Sequence, residues 1–178
     1  MIESLLIGLI ISSSVILIDQ VSKIIMMGLL VNAPEFKIVL INNFLSLDLV
    51  FNDGAAFSMQ LPKIVLIGLP LIASIIFFLM VKKSSPKKEP LYFWGMYMMI
   101  GGALGNLVDR AFAIDKTSLF GASAQAQTVV DFIHFDFFPA TFNFADSFLC
   151  IGVALVFIDI IFFERKREKK NEFSSVEE

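Results

Sequence analysis

Four long apolar segments constrain the fold of this chain more than any other feature of its sequence. They cover approximately residues 4–28, 62–81, 90–112 and 142–163. Each is close to the about 20 residues that a helix needs to cross the hydrocarbon core of a bilayer. The chain is also 57% hydrophobic and only 17% charged, whereas an average soluble domain is about 45–50% apolar and about 25% charged. The sequence therefore predicts a mainly α membrane protein, a bundle of four transmembrane helices.

The first apolar segment has a rival interpretation as a secretory signal peptide. Such a peptide has a positively charged start, an apolar core of about 7–15 residues and a cleavage site between small residues. This segment begins Met-Ile-Glu, is longer, and carries Asp19 and Lys23 in its second half. We interpret it as a retained transmembrane helix. Asp19 and Lys23 are four residues apart and can pair on one helix face, either as a plain salt bridge or as a brace for an active site.

Residues 36–61 have the pattern of a small β-structure. Leu45, Leu47, Leu49 and Phe51 alternate with more polar residues, which is the period of a half-buried strand. Open strand edges cannot face lipid, so we expect this segment to lie outside the bilayer. After the alternating stretch, the segment continues with Asn52, Gly54 and a run of small residues.

Polar residues gather at the ends of the last two spans. Gly102, Asn106 and Arg110 are spaced to share one helix face in span three, and Asn143 and Asp146 stand at the start of span four. Four lysines follow span two and five Lys or Arg follow span four, whereas residues 30–61 and 113–141 contain only Lys37 and Lys116. The positive-inside rule therefore predicts cytoplasmic termini, with the polar residues converging at the outer leaflet.

Asp131 and Asp146 lie where the chain meets the low-dielectric region, and they are the main candidates for chemistry. Two carboxylates that share a site hold one proton between them, so one can activate water while the other protonates a leaving nitrogen. The alternative is that each acid caps a helix or pairs with Arg110 or Lys23. Catalysis by Asp131 and Asp146 together would need no metal and no cofactor.

Other chemistries have weaker support. Ser58 and Ser147 have no evident base, and a metal site built from Asp131, His134 and Asp136 would place three ligands on one short loop. The single cysteine, Cys150, rules out an intramolecular disulfide and is expected to be a small buried hydrophobe. The basic residues cluster at membrane edges, which gives no nucleic-acid signal.

Five short stretches stand out in order along nearly the whole chain: DQVSK (19–23), NDGAAFS (52–58), GGALGNLVDR (101–110), VVDFI (129–133) and FNFADS (142–147). Together they closely resemble the motifs of the lipoprotein signal peptidases (signal peptidase II), which are bacterial membrane aspartic peptidases. The resemblance implies cleavage of a prolipoprotein signal peptide just before the diacylglyceryl-modified cysteine. It also implies an extracytoplasmic β-cradle at 36–61, a place in the bacterial cytoplasmic (inner) membrane among its lipids, and inhibition by the cyclic peptide globomycin.

The resemblance also assigns roles to individual residues. The family's catalytic aspartates match Asp131 and Asp146. The positions that line the family's site or hold its substrate match Asn52, Gly54, Asn106, Arg110, Asn143 and Ala145, and those that support the nearby structure match Asp19 and Lys23.

The chain departs from the family pattern in one place. An inserted outer loop, about 111–128, separates the Asp-Arg motif from the Val-Val-Asp-Phe motif, and loops tolerate such length. We predict one integral membrane peptidase domain over 1–163 and a basic, then acidic, cytoplasmic tail over 164–178. The competing hypotheses are a small ion or proton transporter with an acidic relay, and an inactive relative that only binds lipoprotein precursors.

Overall fold

Four long helices form the body of the protein in the computed structural model, which describes residues 2–54, 59, 61–112, 128–165 and 167. Helix α1 spans Ile2–Leu30, α2 spans Lys63–Val81, α3 spans Pro90–Ala111, and α4 spans Phe144–Asp159 and continues as a π-helix over Ile160–Glu164. All four are long and apolar enough to cross a membrane. The prediction of a four-helix membrane bundle is confirmed. Most of the predicted inserted loop and of the tail lies outside the described residues.

Helix α3 lies at the centre of the bundle. Of its most apolar window 56% is buried, against 11–28% for the other three helices. Its Phe93, Met96, Tyr97 and Ile100 form one core with Ile11 of α1 and Val81 of α2. The other helices turn large apolar side chains outward, as helices in lipid do. Cys150 on α4 is among the exposed residues, so the expectation that it is buried was wrong: its side chain faces away from the other helices.

Helices α3 and α4 approach each other backbone to backbone. A Cβ atom added at Gly95 would lie 2.7 Å from the Gly152 carbonyl oxygen, and one added at Gly152 would lie 2.6 Å from the Gly95 oxygen. A Cβ atom at Gly102 would lie 2.5 Å from the Ala145 oxygen. Small residues at these contacts allow the close approach that side chains would prevent. This packing brings the far end of α3 beside the first turn of α4.

A four-stranded antiparallel sheet stands at one end of the bundle, in the order β1-β2-β3-β4. Its strands are β1 (Lys37–Ile41), β2 (Leu45–Asn52), β3 (Val129–Phe135) and β4 (Thr141–Phe142). The predicted cradle at 36–61 therefore supplies only half of the sheet. Sequence analysis missed β3, because its almost unbroken apolar run lacks the alternation of a half-buried strand, and it wrongly placed Asp131 and His134 on a loop.

The end of α1 supports the sheet. Met27 and Leu30 pack with Val130 and Phe132 of β3 in a second core. Successive side chains of a strand point to opposite faces, so Asp131, between Val130 and Phe132, points away from that core. The packing of α1 against one face of β3 thus directs Asp131 to the other.

The glycine contact between α3 and α4 leads to a stability prediction. We expect Gly152→Leu to destabilise the protein by about 1–3 kcal/mol, because the new side chain must push the two helices apart. Gly68→Leu on α2 is the matched control, since a Cβ atom there meets nothing within 4 Å. Thermal unfolding in detergent measures both, and equal melting temperatures would contradict the close contact.

Candidate active site

The structure joins the ten residues to which the resemblance assigns a role into one hydrogen-bonded network. Every member is linked to another by at least one contact of 3.2 Å or less. The members come from α1, β2, α3, β3 and the start of α4, and they are Asp19, Lys23, Asn52, Gly54, Asn106, Arg110, Asp131, Asn143, Ala145 and Asp146. The network lies at the end of the bundle that carries the sheet.

Asn143 is the centre of this network and also the N-cap of α4. Its Oδ1 accepts a hydrogen bond from the Asp146 backbone N–H at 2.9 Å, and its own backbone N–H donates to Asp146 Oδ2 at 3.2 Å. This reciprocal pair is a capping box, and Asn is among the preferred N-cap residues. The first turn of α4 therefore holds Asp146 in a fixed position.

The same Asn143 side chain contacts the other aspartate. Its Nδ2 donates to Asp131 Oδ1 at 2.7 Å and to Asn106 Oδ1 at 3.0 Å. Asn106 in turn donates through Nδ2 to Asp146 Oδ1 at 2.8 Å. Two amide side chains thus connect the carboxylates of β3 and α4.

Strand β2 completes the surroundings of Asp131. Asn52 Nδ2 donates to Asp131 Oδ2 at 3.0 Å, while Asn52 Oδ1 accepts from the Gly54 N–H at 3.0 Å. The Gly54 carbonyl oxygen accepts a hydrogen bond from Arg110 Nη2 at 2.9 Å. Arg110 lies within electrostatic reach of both Asp131 and Asp146. The turn after β2 is therefore attached to the end of α3 beside the two acids.

The environment of Asp131 favours its neutral form. Asp131 is only 3% exposed, and this burial, together with the nearby charge of Asp146, raises the pKa of Asp131 to about 7. The hydrogen bonds from Asn52 and Asn143 and the charge of Lys23 act in the opposite direction but do not outweigh the burial. Asp131 can therefore carry a proton near neutral pH, as a general acid must.

Lys23 holds the network together from α1. Its Nζ donates to Asp19 Oδ2 and Asp109 Oδ2, both at 2.7 Å, and to Asn106 Oδ1 at 3.1 Å. Asp19 uses its other oxygen to accept the Ala145 N–H of α4 at 2.9 Å. Of the two interpretations of the Asp19–Lys23 pair, the structure favours the brace, because the pair contacts α3 and α4 beside the acids.

Sequence analysis missed two members of this region. Asp109 is 1% exposed and forms the second salt bridge of Lys23, and Gln20 donates through Nε2 to Asp19 Oδ2 and to the Gly105 carbonyl oxygen, both at 3.1 Å. The signal for Asp109 was an acid inside an apolar span, which needs a partner.

The competing sites have little geometric support. His134 Nδ1 lies 3.4 Å from Thr141 Oγ1, and its Nε2 lies 3.9 Å from Asp136 Oδ1. Ser147 donates its hydroxyl to the Asn143 carbonyl oxygen, one helical turn earlier. Within the described ranges no group of three His, Cys, Asp or Glu side chains is arranged to hold a metal ion. Ser58 lies outside the described residues.

The chain is similar to known proteins over most of its length. A family model described as signal peptidase (SPase) II matches residues 11–162. A lipoprotein signal peptidase from Caldanaerobacter subterraneus subsp. tengcongensis is 33% identical over 162 residues, which cover 87% of this chain and 96% of that protein. A lipoprotein signal peptidase from Desulfitobacterium hafniense is 35% identical over 159 residues, which cover 87% of this chain and 92% of that protein.

Solved structures extend the likeness to the fold. Two structures described as bacterial membrane enzymes, determined by the in meso method at 2.3 Å and 1.9 Å, superpose with TM-scores of 0.69 and 0.66. Each is 26% identical in sequence to this chain. The first match covers 86% of this chain and 87% of that chain, and the second covers 88% and 93%.

The buried position of Lys23 leads to the second prediction. We expect Lys23→Met to destabilise the protein by about 3–5 kcal/mol, because it leaves Asp19 and Asp109 without their shared cation. Lys37→Met is the matched control: Lys37 pairs with Asp48 at 3.2 Å but is partly exposed, so its loss should cost under about 1 kcal/mol. Chemical or thermal unfolding in detergent compares the two variants, and similar losses would contradict a central role for Lys23.

Proposed function

The chain belongs to the signal peptidase II family, and we propose that Asp131 and Asp146 are the catalytic pair of this integral membrane peptidase. Members of the family are lipoprotein signal peptidases, hydrolases that process the signal peptides of prolipoproteins. We propose cleavage on the N-terminal side of the diacylglyceryl-modified cysteine.

The observation that carries this proposal is the bridge formed by Asn143. Its side-chain amide donates to Asp131, and its remaining groups exchange two hydrogen bonds with Asp146. Capping of α4 requires only the hydrogen bonds between Asn143 and Asp146. The additional hydrogen bond from Asn143 to Asp131 on β3 is not needed for a cap. The pairing of one carboxyl that is protonated near neutral pH with a second carboxylate is the arrangement that peptide hydrolysis by two acids requires.

The proposed mechanism divides the proton transfers between the two acids. Ionised Asp146 takes a proton from a water molecule, whose oxygen attacks the scissile carbonyl carbon. Protonated Asp131 then donates its proton to the amide nitrogen as the carbon–nitrogen bond breaks. The products are a peptide carboxylic acid and the free amine of the modified cysteine, and a proton transfer from Asp146 back to Asp131 restores the starting state.

The amide groups around the acids would hold and orient the substrate. Asn52, Asn106 and Asn143 each already contact an aspartate oxygen, so a substrate peptide beside the acids lies within reach of the same side chains. We propose that Arg110, anchored on the Gly54 carbonyl oxygen, binds a substrate carbonyl or headgroup oxygen. Gly54 and Ala145 are both buried. Because a Cβ atom at Gly102 would lie 2.5 Å from the Ala145 carbonyl oxygen, we propose that Ala145 supports the site from α4 rather than contacting the substrate.

The position of the site suits a substrate with acyl chains. The acids lie where α3, α4 and β3 meet, so a substrate's lipid and signal helix can stay in the bilayer while its cleavage segment reaches the acids. The lysine-rich edges at the other end of the spans support cytoplasmic termini and a site near the outer leaflet of the bacterial inner membrane. Globomycin would compete for the same cleft.

The distribution of charge disfavours a transporter. A proton or ion relay needs ionisable groups at successive depths of the membrane. Residues 4–18, 64–81, 91–108 and 147–158 contain no Asp, Glu, Lys, Arg or His, so the ionisable groups of the spans lie toward the ends of the spans and form no such series. The remaining alternative is an inactive relative that binds precursors, and it is excluded or supported by the assay that follows.

We expect Asp131→Asn and Asp146→Asn each to lower the cleavage rate by at least about 10²–10⁴-fold, because each removes one of the two proton-transfer groups. Asp136→Asn is the matched control: Asp136 follows the same strand, and its only described ion-pair contact is with His134 at 3.9 Å. The assay follows the mobility shift of a diacylglyceryl-modified prolipoprotein. Full activity of either aspartate variant would rule out the pair, and a folded but inactive parent that binds the precursor would support the binding-only alternative.

The pKa of Asp131 leads to a pH prediction. The hydrogen bond from Asn52 stabilises the ionised carboxylate and lowers the pKa of Asp131, so Asn52→Ala should raise that pKa above about 7. If Asp131 is the acid, the alkaline limb of kcat/KM should then move to higher pH. Asp48→Asn on the same strand, which alters the pair with Lys37, should leave the profile in place. An alkaline limb that stays fixed or moves to lower pH in Asn52→Ala would contradict the assignment of Asp131 as the acid.

A further inference from the structure

The free edge of the sheet carries an apolar surface that no described part of the protein covers. We define the β1 patch as six side chains that are each 44–70% exposed: Phe36, Val39, Leu40, Ile41, Phe44 and Phe137. We propose that the β1 patch is inserted into the headgroup and upper acyl region of the bilayer leaflet nearest the sheet. The seating of the sheet does not depend on which residues are catalytic.

Strand β1 lacks the alternation that a strand between protein and water shows. Pairing with Leu47 and Leu45 places Ile38 and Ile41 on one face, and pairing with Ser46 places Val39 on the other, because an irregularity after Val39 breaks the alternation. All three are exposed. A strand with one face in water would carry polar residues on that face. Because both faces are apolar, the strand fits an apolar medium on both sides.

The connection to α1 identifies that medium as lipid. Only residues 31–36 separate the end of α1 from the start of β1, and six extended residues span at most about 20 Å. The last turns of α1 expose Ile25 and Leu29 by 51% and 54%, so the lipid-facing surface of a membrane helix ends close to where the β1 patch begins.

The backbone before β1 supports the same conclusion. Glu35 and Phe36 have φ angles of 54° and 55°, a left-handed conformation that is strained for a bulky side chain. This conformation leaves the Phe36 ring 53% exposed. Burial of Phe36 in the bilayer would offset the cost of this conformation, whereas exposure to water would leave it uncompensated.

The turn between β1 and β2 also carries exposed apolar side chains. Phe44, Phe135 and Phe137 form a cluster with ring centroids 5.5–5.9 Å apart, and the Asp136 N–H donates to the Phe44 carbonyl oxygen at 3.1 Å. Phe137 is still 70% exposed. Aromatic and aliphatic side chains of this kind seat interfacial segments about 5–10 Å below the headgroup boundary.

The open edge of β1 limits how deeply the β1 patch can enter the bilayer. Backbone N–H and C=O groups on that edge need water or headgroup partners and are not tolerated in the hydrocarbon core. Lys37, at the start of β1, pairs with Asp48 and can keep its ammonium group at the polar level while its stem lies along apolar surface. The β1 patch therefore lies in the interfacial layer rather than at the bilayer centre.

Fluorescence quenching in vesicles tests this proposal. Trp94 is the only tryptophan, so Trp94→Phe provides a background for single reporters at Phe137→Trp and Leu40→Trp. The protein is placed in phosphatidylglycerol–phosphatidylethanolamine vesicles whose acyl chains are brominated either near the headgroup or near the chain end. Ile72→Trp, on the exposed face of α2, and Lys87→Trp, in the lysine-rich loop, are the lipid and water controls, and circular dichroism verifies the fold of each variant.

We expect bromines near the headgroup to quench both reporters at least about twofold more than they quench Lys87→Trp, and more than bromines near the chain end do. Reporters that emit and respond like Lys87→Trp would overturn the proposal. A second copy of the chain is an alternative cover, and a Val39→Cys variant in a Cys150→Ser background detects it. If that variant forms disulfide-linked dimers and the tryptophan reporters are not quenched, the proposal is overturned and the β1 patch is covered by a second copy of the chain.

Discussion

The hydrogen-bonded network of the candidate active site depends on one buried ammonium group, that of Lys23 on α1. Lys23 is 1% exposed, and a cation at that position is tolerated only with close partners. It has three, on α1 and α3, and one of them, Asp19, also accepts a backbone N–H from α4. The three helices that surround the candidate site are therefore fixed to each other through one charge rather than through apolar packing alone.

That charge also orients the amides that contact the acids. Asn106 Oδ1 accepts from both Lys23 and Asn143, so its amide nitrogen must point the other way, toward Asp146. Asn143 is fixed in turn, because its oxygen accepts from the Asp146 backbone and its nitrogen donates to Asp131. Donors that are locked before substrate arrives need no reorganisation during the reaction.

The electrostatic balance of this centre favours a proton on one of the acids. Among the described residues, Asp19, Asp109, Asp131 and Asp146 face the cations of Lys23 and Arg110. Four ionised carboxylates would exceed the two positive charges in a region of low dielectric constant, where unpaired charge is costly. A proton on Asp131, whose pKa is raised to about 7, relieves this excess. Within the described part of the chain, Asp131 forms no direct ion pair of the kind that Asp19 and Asp109 form with Lys23.

The sequence by itself determined the four spans. The length and hydropathy of a span are local properties of the chain, and the thickness of the hydrocarbon core alone decides which segments can cross it. It also determined the face shared by Gly102, Asn106 and Arg110, because helical periodicity is fixed, and the motif resemblance indicated Asp131 and Asp146. Only the tertiary structure decided how the acids meet. Strand β3 pairs with β2 across a sequence separation of more than 70 residues, and Asp109 finds Lys23 across 86 residues. Such pairings depend on which buried polar groups can satisfy each other in space, and no local pattern of the chain records that.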